Sequence, residues 1–138
     1  MDLTILKSEL VRDEGLRFKP YRDSVGKLTI GVGHNLDDVP ISYAAAMQIL
    51  EDDILQAMGQ LNGRIPWWVS LNETRQRALM NLCFQLGING LMGFKQMLAA
   101  LQDSDWQRAH DELINSKLNS QAPNRTGRTA QMLLTGLS

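Results

Sequence analysis

A mostly helical α+β fold with a small β lobe near the N-terminus is predicted by two patterns in the sequence. Through most of the chain, apolar residues return every three or four positions, as they do on helices that bury one face. Between Phe18 and His34 that rhythm gives way to Tyr, Val, Thr and Ile around the turn-like Asp23-Ser24-Val25-Gly26, which reads as a small antiparallel hairpin. With 138 residues, 43% of them apolar and 21% charged, the chain has the length and composition of one folded domain with its own core.

Leu3, Leu6 and Leu10 set a first helix from about Leu3 to Asp13, stopped at Gly15. The hairpin follows, its second half being Leu28-Thr29-Ile30-Gly31-Val32-Gly33. Ser42 is placed to cap a long helix with the stripe Met47, Leu50, Ile54, Met58 and Leu61, and Gly63 past its end. After Pro66, Trp67 and Trp68 are expected to anchor the start of the next helix. Asn72 caps that helix, which carries Leu79, Leu82, Cys83 and Leu86 on one face and is expected to end at Gly87 and Gly90. Another helix runs through Phe94, Met97, Leu98 and Leu101. Ser104 and Gln107 have the spacing of a capping box ahead of Trp106, Ala109, His110, Leu113 and Ile114. Pro123 opens a last helix with Ala130, Leu133, Leu134 and Leu137 inward. The expected order is therefore a helix, a small hairpin and five helices, with methionines at helical spacing as core filler.

Several function classes fall away. Fourteen Lys and Arg against fifteen Asp and Glu give a net charge of -1, so there is no global basic field to gather nucleic acid or anionic lipid. No apolar run approaches the roughly 18 residues of a membrane span, so stable membrane insertion is not expected. Asp2, Lys7 and Glu9 stand where a signal peptide needs an unbroken apolar stretch, which points to a cytoplasmic protein. Cys83 with His34 and His110 makes no metal cluster, and on an apolar helix face Cys83 is a poor nucleophile. Gly31 and Gly33 lack the further glycine and the βαβ setting of a dinucleotide loop.

What remains is a carboxylate pair, Glu14 at a helix end and Asp23 at the hairpin turn nine residues on. Glycoside hydrolysis needs two such groups flanking the scissile bond, one held protonated in a shielded site and one ionised in a wetter one.

Asp13-Glu14-Gly15-Leu16-Arg17, Tyr21-Arg22-Asp23 and Thr29-Ile30-Gly31-Val32-Gly33-His34 resemble the catalytic stretch of phage-type lysozymes, endolysins of the T-even kind. The likeness continues through Ala78-Leu79-Met80-Asn81-Leu82-Cys83-Phe84-Gln85-Leu86-Gly87 and Gly93-Phe94. It ends in Gln121-Ala122-Pro123-Asn124-Arg125, Arg128 and Thr135-Gly136. The resemblance implies a two-lobed lysozyme-like fold in one catalytic domain of residues 1–138, with a small lobe of about residues 15–60 and a helical lobe of about 1–14 plus 61–138. It implies a monomeric muramidase that cleaves the β-1,4 bond between N-acetylmuramic acid and N-acetylglucosamine in bacterial peptidoglycan, with inversion and without a cofactor. It also implies release from the host cytoplasm to the periplasmic wall through a holin-type pore.

The resemblance assigns roles residue by residue. Glu14 is the general acid, Asp23 the carboxylate across the sugar, and Thr29 a guide for the attacking water. Arg125 pairs with the catalytic glutamate, so burial of Glu14 has to oppose that pairing if the acid is to hold its proton. Gly33, Phe84, Gln85 and Ser116 meet the sugar, and His34 pairs structurally with Asp53. The chain departs from the T-even pattern in a shorter stretch between His34 and Asp53, which trims the small lobe and opens the cleft. Leu118 replaces an aromatic residue, Ala122 replaces a threonine, and the strong basic charge is missing. Charge is uneven, with Asp37, Asp38, Glu51, Asp52 and Asp53 clustered and no base among them. Two rivals are a lytic transglycosylase, which closes the muramic acid without water, and a wall-binding module that has lost catalysis. Asp23 and Thr29 argue against the first, and Glu14 against the second.

Overall fold

The computed structural model describes residues 1–137. The chain divides into two compact units, Met1–Gln48 and Ile49–Ser138. Its α+β, mostly helical architecture is the one the sequence predicts.

In the first unit, helix α1 covers Leu3–Glu14. Asp2 caps it, its carboxylate accepting from the N–H groups of Thr4 (2.9 Å) and Ile5 (3.1 Å). Gly15, at φ 80°, ends it and sends the chain into the sheet. Strands β1 (Arg17–Arg22), β2 (Leu28–Gly31) and β3 (His34–Asn35) form an antiparallel sheet in that order. Tyr21 stands opposite Thr29 and Arg22 opposite Leu28, with an irregularity in register between Arg17 and Tyr21. The hairpin thus gains a third, two-residue strand.

No apolar side chain among the described residues of this unit is buried. Leu3 and Leu10 are exposed and Leu6 half-buried, so the α1 stripe predicts the helix but does not form a core. Forty-eight residues are too few to enclose one.

Helix α2 (Tyr43–Arg64) starts where Ser42 Oγ accepts from Ala45 N–H at 3.1 Å. It runs through Gly63 rather than stopping before it. Among its apolar stripe only Leu61 is buried, joined by Ala57, while Leu50, Ile54 and Met58 stay over a third exposed.

The second unit continues with a 3-10 turn (Pro66–Ser70), then α3 (Glu73–Met92), α4 (Lys95–Gln102), α5 (Trp106–Ile114), α6 (Lys117–Gln121) and α7 (Pro123–Thr135). Helix α7 packs on α3, α5 and α6, and α5 on α4. Leu61, Leu79, Leu82, Leu91, Met97, Leu101, Leu113 and Leu133 fill the core. Trp68 is buried and its indole N–H donates to Asn62 Oδ1 at 2.7 Å, which ties it to the end of α2 and not to the start of α3, while Trp67 is half-buried. Burial among apolar groups pushes the Cys83 thiol up.

Arg75 is the unusual buried group. Its Nε donates to the Leu133 carbonyl (2.8 Å) and its Nη2 to the Leu134 carbonyl (3.0 Å), while the guanidinium lies 3.7 Å over the Trp106 ring. A cation thus closes the C-terminal end of α7, where carbonyls lack partners and the helix dipole is negative. Burial pushes this guanidinium down from its ordinary value.

Three further boundary expectations change. Helix α3 continues to Met92, and Gly87, at φ 74° and ψ 163°, makes a kink inside it. Asp105, not Ser104, caps α5 by accepting from Arg108 N–H at 3.2 Å, because Ser104 sits at φ 58°, outside the extended backbone that an N-cap needs. Leu137 lies beyond the end of α7 and is exposed, since Gly136 at φ 65° stops the helix. Among the described residues no helix is long and apolar enough to cross a membrane.

Candidate active site

Glu14 is the last residue of α1, and the turn Gly31-Val32-Gly33 brings backbone up to it. A Cβ on Gly33 would stand 2.8 Å from Glu14 Oε2, so only a residue without a side chain lets this carboxylate lie where it does. Gly33 also holds φ +67°, a second reason for glycine. Glu14 itself is exposed. The shielding expected from the sequence is not provided within this unit, because Gly15, Gly31 and Gly33 bring no side chains to cover the carboxylate.

Asp23 is fixed by the turn between β1 and β2. Its Oδ1 accepts from Val25 N–H (3.0 Å) and Lys27 N–H (2.8 Å), and its own N–H donates to the Lys27 carbonyl (2.9 Å). Both bonds fall on one oxygen, and among the described residues the other takes none. Thr29 is buried at 3% exposure, and its hydroxyl donates to the same Lys27 carbonyl at 2.9 Å. Lys27 is therefore a main-chain hub for Asp23 and Thr29. Sequence reasoning missed it, because a role played by backbone leaves no mark on residue type.

His34 turns its Nε2 to within 3.1 Å of the Val39 carbonyl, a contact inside its own unit.

The remaining expected residues lie in the second unit. Phe84 is 48% exposed, large for a phenyl ring, and with Arg125, Leu50, Ile54 and Met80 it lines an open cavity of about 510 Å³. Arg125 donates from Nε to Asn81 Oδ1 at 2.9 Å. Gln85 is half-buried on α3. Asp53 lines a cavity of about 240 Å³ with Cys83 and Phe84. Ser116 lines one of about 610 Å³ with Lys95 and Glu112, its hydroxyl donating to the Leu113 carbonyl at 2.6 Å. The structure thus brings Glu14, Asp23, Thr29, Gly33 and His34 into one unit, and Asp53, Phe84, Gln85, Ser116 and Arg125 into the other. Among the described residues, no three His, Cys, Asp or Glu side chains gather as a metal site.

The family model for phage lysozyme matches residues 11–133, a span that holds all of these residues. The chain belongs to the phage lysozyme family. Relatives repeat the likeness over much of its length. It is 30% identical over 155 aligned positions to the pre-baseplate central spike protein Gp5 of Enterobacteria phage T4, covering 92% of this chain but 27% of the spike protein. It is 26% identical to the probable T4-type lysozyme 1 of Dictyostelium discoideum, covering 95% of this chain and 94% of that protein. It is 33% identical to an endolysin of Acyrthosiphon pisum secondary endosymbiont phage 1, covering 75% and 70%. This phage lysozyme family member is therefore similar both to a relative matched over nearly its whole length and to a segment of a much longer spike protein.

Proposed function

We propose that this phage lysozyme family member is a muramidase, hydrolysing the β-1,4 bond between N-acetylmuramic acid and N-acetylglucosamine in bacterial peptidoglycan. The observation that carries the reading is the pair of carboxylates in the first unit, Glu14 packed against Gly33 and Asp23 held at the hairpin turn with one oxygen unused. Glu14 gives its proton to the glycosidic oxygen as the bond breaks. Asp23 takes a proton from water on the opposite face of the sugar, and the free oxygen supports that role. Thr29, whose hydroxyl donates a hydrogen bond to the Lys27 carbonyl, keeps lone pairs that accept from the same water.

Gly33, Phe84, Gln85 and Ser116 are proposed to meet the sugars, and the exposure of Phe84 supports this. Arg125 is proposed to support the catalytic carboxyl, and His34 with Asp53 to serve the scaffold. The chain is read as one domain, with a helical lobe of about residues 1–14 plus 61–138 and a small lobe of about 15–60. As an endolysin it would work on the wall after leaving the host cytoplasm through a holin-type pore.

A water placed by Asp23 and Thr29 attacks from the face opposite the leaving group, so the reaction inverts. Proton NMR of the earliest product is expected to show the α-anomer first, and a β-anomer appearing first would refute inversion. Thr29→Val is expected to lower kcat by roughly tenfold, the scale of losing one hydrogen bond to the attacking water. The lost bond to Lys27 should cost only about 1 kcal/mol of stability. A fully active valine variant would return Thr29 to the scaffold.

A further inference from the structure

The acidic run after β3 is not the unpaired cluster that its sequence suggests. Asn35 Oδ1 accepts from the N–H groups of Asp37 (3.0 Å) and Asp38 (3.1 Å), turning both carboxylates back onto the hairpin. Asp37 Oδ2 accepts from Leu28 N–H at 2.9 Å and from Arg22 Nη1 at 3.4 Å, and the same Nη1 lies 3.3 Å from the Gly26 carbonyl. Asp38 meets Lys27 Nζ at 3.2 Å and accepts from Asn35 Nδ2 at 2.8 Å. The Lys27 ammonium first, and Asn35 second, hold its carboxyl below the usual carboxylate range.

Arg22 and Leu28 are the last pair of the β1–β2 ladder, and the Asp23 turn lies between them. One carboxylate oxygen therefore holds the backbone of β2 where the turn returns to the sheet and meets the Arg22 side chain across it. Lys27, the hub for Asp23 and Thr29, stands beside that grip.

We propose that Asp37 is a positioning residue for hydrolysis, aiming the Asp23 carboxylate and the Thr29 hydroxyl by holding the start of β2 where their turn returns to the sheet. This rests on the muramidase reading. Of its two bonds, the one to Leu28 N–H does the positioning, since the Arg22 side chain is 66% exposed and such surface pairs are weak. An amide oxygen can take the Leu28 bond, whereas a methyl group cannot. The effect must then appear in turnover, because the sugars are bound by other residues.

The test measures kcat and KM on purified peptidoglycan, with thermal melting, for Asp37→Ala and Asp37→Asn. Asp37→Ala is expected to lower kcat about tenfold at unchanged KM, since small displacements of a catalytic group are costly. Asp37→Asn should stay within about twofold of the parent in kcat, the rescue expected if an acceptor for Leu28 suffices. Amide hydrogen exchange at Leu28 should quicken in the alanine variant and not in the asparagine one. Equal kcat in the alanine variant, a loss confined to KM, equal damage in both variants, or an alanine variant that does not fold would each overturn the inference. An inactive parent enzyme would overturn the muramidase reading as well, whereas an active parent with an equally active Asp37→Ala would overturn this inference alone.

Discussion

Glu14→Gln is expected to abolish release of products from peptidoglycan while leaving the melting temperature unchanged. The amide has the shape of the carboxylic acid and fits against Gly33, where a Cβ would already stand 2.8 Å from Oε2. It has no proton to give to the leaving oxygen. Loss of general acid catalysis costs about two to four powers of ten in rate. The exchange should cost little stability, because Glu14 is exposed and surface substitutions usually stay within about 0.5 kcal/mol. Activity and melting measured on one preparation separate the two effects. Near-full activity in a folded amide variant would remove Glu14 from the acid role.

Arg75→Ala is the substitution outside the site expected to do most damage, and it acts on stability. Removing the guanidinium leaves the Leu133 and Leu134 carbonyls without their donor and strips the cation from the Trp106 face. Carbonyls stranded in a buried place, with the lost stacking, should cost about 2 to 4 kcal/mol. Arg75→Lys should fall between, because an ammonium has no planar fork to reach both carbonyls and lie on the ring. Thermal unfolding is the measure, with a fall of roughly 7 to 14 °C expected for the alanine variant. A melting temperature equal to that of the parent would show that the α7 terminus finds other partners.

Local signals read correctly from the sequence are those a single residue can carry. Gly15 stops α1, and Asn72 caps α3 by accepting from Arg75 N–H at 3.1 Å. Errors appear where neighbours decide the outcome. The stripes of α1 and α2 gave the helices but not their burial, because periodicity says which residues share a face and not what covers that face. Helix α6 was missed since Lys117–Gln121 carries one apolar residue, Leu118, and so has no period to detect. In the candidate site, Glu14 and Asp23 stand out in the sequence as a carboxylate pair, whereas Thr29 enters only through the resemblance to phage-type lysozymes. The role of the Lys27 main chain and the grip of Asp37 were not legible in the sequence, because both depend on which backbone groups the hairpin turns toward them.

Mass analysis of the fragments released from purified peptidoglycan tests the central claim most directly. Hydrolysis by water placed beside Asp23 predicts disaccharide-peptides with ordinary reducing N-acetylmuramic acid ends. Anhydro-muramic ends as the main product would show that the sugar closed on itself without water, and no release of sugar fragments by the folded protein would show that the fold is used for something other than cleavage.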